Sequence, residues 1–131
     1  MIEKEILEML NNSNIVKIYD YNDFDPDKCI DGGKYLFWTK YTRTNNNSWK
    51  ISYHTSSDFD YCDVYGIFTS CDNCIEYDRD TGECLAKYKE ISTEELIEEI
   101  EATLKAIKKG REYEIEFYKN KECLGRIIKN E

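Results

Sequence analysis

The chain has 131 residues with 27 acidic against 18 basic side chains, a formal charge of -9. That length suits one domain and excludes two of ordinary size, and the charge argues against nucleic-acid binding by phosphate neutralisation, which needs a lysine and arginine surface. The charged start Met1-Ile2-Glu3-Lys4-Glu5 and the lack of a long apolar run predict neither a secretory signal nor a membrane span, hence a cytoplasmic protein in which the six cysteines are thiols, metal ligands or redox groups.

In chain order, Ile2, Ile6, Met9 and Leu10 form an apolar stripe that Asn11, Asn12 and Ser13 interrupt, so the chain opens with a short helix. Ile15 to Tyr21 alternates as a strand. Asn22 to Gly33 holds the one proline, two adjacent glycines and clustered aspartates, and reads as a loop. Tyr35 to Arg43 and Trp49 to Thr55 are rich in aromatic and β-branched residues and predict an antiparallel hairpin joined by Thr44 to Ser48. In its second strand Trp49, Ile51 and Tyr53 share one face, while Lys50, Ser52 and His54 share the other, where His54 is expected to meet solvent. Val64 to Thr69 is a further strand, Cys71 to Cys84 folds back as a small hairpin over Asp78 to Gly82, and Leu85 to Lys89 leads onward.

Ser92 to Gly110 carries the strongest local signal. Ser92 and Glu95 form a capping box, Gly110 can close the far end, glutamates crowd the first half and lysines the last turns. Leu96, Ile97, Ile100, Leu104 and Ile107 fall on one stripe that must be buried. Tyr113, Ile115 and Phe117 then alternate with glutamates, and a turn near Lys119 to Glu122 returns the chain to Lys129 as a last hairpin. The expected fold is a single α+β domain spanning 1–131, a mainly antiparallel sheet packed by the long helix and the short first one.

Two constellations invite chemistry. Cys71-Asp72-Asn73-Cys74, with Cys62 nine residues before and Cys84 ten after, allows a four-sulfur zinc site from Cys62, Cys71, Cys74 and Cys84, although a zinc ribbon carries two such knuckles and this chain has one. A dithiol redox centre fits less well, because an acidic turn follows the pair and no thioredoxin-like pattern surrounds it. His54, the one histidine, would have to serve any cysteine nucleophile. Asp23, Asp25 and Asp27, and separately Asp78, Asp80 and Gly82, resemble fragments of calcium loops, but the first has Lys28 and Lys34 where the glycine and glutamate belong, and the second lacks a third acid and a properly placed glutamate.

The second constellation is a surface. All eleven aspartates fall between Asp20 and Asp80, and many of the eleven tyrosines stand beside acids. Asp58, Asp60, Tyr61, Asp63 and Tyr65 make the strongest partner-binding patch by this measure, with Asp23, Asp25 and Asp27 as a second. A small acidic chain with no catalytic motif resembles in kind the proteins with which bacteria or their phages block nucleic-acid enzymes, namely immunity proteins of nuclease toxins and anti-CRISPR or other anti-defence proteins. That resemblance implies a non-enzymatic inhibitor whose carboxylates stand in for phosphates on a basic protein surface, without direct contact to nucleic acid or membrane. The alternative expectation is a small module stapled by zinc.

Overall fold

The computed structural model describes residues 2–22, 36–56, 60–70 and 74–128. The elements in order are α1 (Lys4–Asn12), β1 (Ile15–Asp20), β2 (Phe37–Asn45), β3 (Ser48–Thr55), β4 (Tyr61–Cys62), β5 (Ile67–Phe68), β6 (Tyr77–Asp78), β7 (Glu83–Cys84), β8 (Glu90–Ser92), α2 (Thr93–Lys108), β9 (Tyr113–Lys119) and β10 (Glu122–Ile128). Among the described residues, six strands form one antiparallel sheet in the order β10-β9-β1-β2-β3-β8, and β4-β5 and β6-β7 are separate two-stranded hairpins. This is the α+β domain that the patterning predicts, with two helices on one face of the sheet.

Strand alternation sorts the sheet into two faces. Register places Phe117, Val16, Tyr41 and Ile51 in one row across β9, β1, β2 and β3, and none of the four is more than 6% exposed. Leu96 and Ile100 of α2 and Leu10 of α1 pack against that side with Trp49 and Ile115, all fully buried. Each such side chain contributes roughly 1.5–3 kcal/mol of transfer free energy. The Trp49 indole Nε1 donates to Thr93 Oγ1 at 3.0 Å, which places the ring under the first turn of α2.

The helix ends form as the sequence implies. Glu95 N–H donates to Ser92 Oγ at 3.1 Å while Glu95 Oε1 accepts from Ser92 N–H, completing the capping box. At the other end Gly110 adopts φ 93°, and Arg111 N–H reaches Ala106 O while Gly110 N–H reaches Ile107 O, a Schellman closure.

The hairpin of β2 and β3 turns more tightly than expected. Strand pairing continues to Asn45 opposite Ser48 through an irregularity after Arg43, leaving Asn46 and Asn47 at the tip. Residues 64–66 belong to the turn between β4 and β5, so the strand expected over Val64 to Thr69 is reduced to Ile67–Phe68. The short strand β8 was not legible, because three residues running straight into a helix cap present no alternation.

Candidate functional site

The two small hairpins gather most of the described residues singled out by the acidic, tyrosine-rich pattern. The link to the main sheet is made by backbone: Tyr53 N–H donates to Asp63 O at 2.8 Å, continuing along β3 the edge that Ile51 N–H opens by donating to Lys89 O. Gly66 takes φ +68° at the tip between β4 and β5 and lies against the Tyr53 ring. The second hairpin turns on Asp78, whose Oδ1 accepts from Asp80 and Thr81 N–H, with Gly82 at positive φ. Leu85 N–H donates to Glu76 O, and the Tyr65 hydroxyl donates to the Glu76 carboxylate, so the two hairpins meet through Glu76.

The individual residues divide by what holds them. Tyr61 starts β4 and packs its ring edge-on to Phe68 at 5.0 Å and against Phe37 at 6.0 Å. Asp63 is half-buried and accepts from the Tyr88 hydroxyl at 2.5 Å; that bond, with burial, pushes the Tyr88 phenol up to about 12. The Tyr65 phenol is raised to the same level chiefly by its bond to Glu76. Asp60 is exposed. Of the patch expected to bind a partner, then, Asp60 keeps its carboxylate at the surface while Asp63 uses its own to anchor the 85–89 segment. Asp58, Asp23, Asp25 and Asp27 lie outside the described residues.

Four side chains that the acidic pattern did not single out, together with Tyr65, which it did, are exposed apolar groups on or beside these hairpins: Ile75 is 99% exposed, Leu85 59%, Ile67 54%, Tyr65 50% and Phe68 47%. Ile128, at the end of β10, is 57% exposed as well. The signal for the four in the sequence is faint: isolated apolar residues among aspartates and turns, with Ile67 and Phe68 in a strand of two residues that cannot build a buried face.

The cysteines of the expected zinc site divide between elements. Cys62 ends β4, Cys84 ends β7, Cys74 precedes the second hairpin, and these three are thiols. Cys71 lies outside the described residues. Among the described residues no group of three or more histidine, cysteine or acidic side chains converges as a metal site.

The sheet face away from the helices carries a row that reads Glu114, Tyr19, Trp38 and His54 across four strands. His54 is half-buried instead of solvated, because Trp38 stacks on it at 5.5 Å and 15° and Ser52 Oγ lies 2.9 Å from its Nε2. The Ser52 and His54 contact has the spacing of a nucleophile and its base, and Ser52 is 6% exposed. In the neighbouring row Glu116, 4% exposed, accepts from Arg126 Nε at 2.9 Å and from the Tyr118 hydroxyl at 2.8 Å. Burial alone would raise its carboxyl, but bonds from Tyr118, Tyr19 and Arg126 outweigh that and hold it below the ordinary value.

Compared with protein-family models, curated proteins and solved structures, the chain matches none of them.

Proposed function

We propose that this chain is a non-enzymatic binding protein that inhibits a nucleic-acid-binding enzyme by occupying its basic surface, with the paired hairpins as the contact. The observation that carries this reading is the group Tyr65, Ile67, Phe68, Ile75 and Leu85, apolar side chains left 47–99% exposed on hairpins that touch each other. Exposed apolar groups on adjoining hairpins favour burial by a partner, and tyrosine serves well as an anchor because its ring desolvates while its hydroxyl stays paired.

The partner's sign follows from the rim. Asp60, Asp80 and Glu83 are exposed around these anchors, and the whole chain carries -9. Such a field steers a small protein toward a lysine- and arginine-lined groove, where carboxylates substitute for phosphates.

The test uses purified nucleases and nucleic-acid-guided effector enzymes with basic clefts, measured by biolayer interferometry and by inhibition of cleavage at two salt concentrations. A stoichiometric, salt-weakened complex is expected, lost at least tenfold in Ile75→Ser/Leu85→Ser at unchanged melting temperature. Retained binding in that double variant, or no binding across the panel, would overturn the reading.

A further inference from the structure

A cleft opens between α2 and the helix-side face of the sheet, apart from the hairpin surface except where Tyr61 borders both. It forms because α2 presents Ala102, Thr103 and Ala106 on that flank, side chains too short to reach the strands, whereas Leu96 and Ile100 fill the space on the adjoining flank. The cleft has two lobes. The larger, about 370 Å³, lies over Ile18, Phe37, Tyr53 and Tyr61 with Asp20 at its end. The smaller, about 310 Å³, is bordered by Ile51, Lys89, Glu95 and Glu98. Thr39, Tyr41, Tyr53 and Glu99 line both, so the lobes adjoin. Each holds roughly ten times the volume share of a water molecule.

Tyr41 marks the centre. The residue is 5% exposed, yet its hydroxyl has no hydrogen-bond partner among the described residues. No buried side-chain oxygen among those residues lacks both partner and exposure, so this hydroxyl must reach the cleft. Burial first, and then the nearby Glu99 carboxylate and Tyr53, raise the Tyr41 phenol well above its ordinary value, keeping it a neutral group with a lone pair to offer.

The charges round it are predominantly negative. Glu95 already serves the helix cap, which leaves Glu98, Glu99 and Asp20 against Lys89. An aromatic floor, a hydroxyl acceptor facing the cleft and carboxylates on the wall together suit an N–H donor that carries positive charge. We infer that this cleft binds a small organic cation, an alkylguanidinium or alkylammonium group, through Glu99, the Tyr41 hydroxyl and the Tyr53 ring. The same chemistry arrives either as a free alkylamine or alkylguanidine or as a basic side chain of another protein.

Agmatine represents the free source and Nα-acetyl-arginine methylamide the side chain, each titrated against protein labelled at alanine methyls and tyrosine rings and followed by NMR. Saturable shifts at Ala102, Ala106, Tyr41 and Tyr53 are expected with at least one probe, and the tighter probe identifies the source. Tyr41→Phe keeps the ring in the core and Glu99→Gln keeps the side-chain shape, and each should weaken binding about tenfold. Glu94→Gln, outside the cleft on the first turn of α2, should leave it unchanged. Absence of saturable shifts with both probes, unchanged affinity in Tyr41→Phe and Glu99→Gln, or equal weakening by Glu94→Gln would each overturn the assignment.

Discussion

The Arg43 guanidinium lies over the Trp49 ring at 4.2 Å. From there its Nη2 donates to Leu10 O at 3.0 Å, its Nε to Ser13 O at 2.9 Å and its Nη1 to Asn46 O at 2.9 Å. One side chain of β2 therefore binds two carbonyls at the end of α1, braces the β2-β3 turn and covers the largest core ring. Arg43→Ala should lower unfolding free energy by about 2 kcal/mol, from the lost carbonyl bonds and ring contact together. Arg43→Lys should recover little of it, since an ammonium cannot fork to three carbonyls while lying flat on an indole. Urea denaturation of the three proteins checks both statements.

The Glu116 carboxylate should make the fold acid-sensitive. Its folded-state value is held below the ordinary 4.5, so as pH falls the unfolded chain takes up the proton first. The stabilisation is therefore complete above pH 4.5 and is lost as pH falls through the lower, folded-state value. Glu116→Gln should lower the melting temperature at neutral pH, because Arg126, Tyr19 and Tyr118 lose their charged acceptor, and should flatten the acid limb of the stability curve. Melting temperatures of both proteins between pH 3 and 7 read the difference. An acid limb equally steep in the variant would assign the sensitivity to other carboxylates.

His54 should produce a separate limb at higher pH. Burial, then Lys40, and with them Lys17, push its imidazole below the ordinary 6.5 despite the opposing pull of Asp63. The neutral ring is the native form. Stability is complete above pH 6.5 and declines as pH falls from there towards the folded-state value, since the unfolded chain binds the proton more readily across that interval. His54→Gln should cost some stability at pH 7.5 through the lost Trp38 stack, yet remove the decline just below 6.5. NMR titration of the single histidine gives the folded-state value directly.

Much of this fold was legible because its signals are local. The caps of α2 follow from Ser92, Glu95 and Gly110, and the buried face of β3 follows from Trp49, Ile51 and the strand period. Strand order was not legible, since the placement of β9 between β1 and β10 rests on pairings such as Val16 with Phe117, a hundred residues apart. The surface was only half legible. Aspartates and tyrosines mark the region in sequence, but whether a carboxylate faces solvent, as in Asp60, or is spent on Tyr88, as in Asp63, depends on how the 85–89 segment returns to β3. The cleft at Tyr41 was invisible, because a tyrosine on the buried side of a strand reads as core until the short side chains of α2 are set opposite it.

Gly66 ties the hairpin surface to the sheet. Its φ of +68° suits glycine, and a Cβ there would stand 3.0 Å from Cγ of the Tyr53 ring. That ring is held by its own strand, with Tyr53 N–H bonded to Asp63 O, so it cannot swing aside as the tip of a flexible chain would. Gly66→Ala should therefore strain the turn and displace β4 and β5 from the β3 edge, at a cost of about 1–2 kcal/mol from the left-handed backbone and the contact together. Gly82 supplies the comparison. It has similar φ, +73°, but its nearest neighbour would be the Tyr77 hydroxyl at 3.7 Å, an ordinary contact, so Gly82→Ala should show the backbone strain without the collision. If the hairpins form the binding surface, Gly66→Ala should weaken partner binding more than Gly82→Ala, because it moves the element that carries Tyr65, Ile67 and Phe68. Hydrogen exchange at Tyr53 and Gly66 N–H, compared between the two variants, reports the displacement independently of any partner. Equal protection in both would place the anchoring of this surface elsewhere than at the Gly66 and Tyr53 contact.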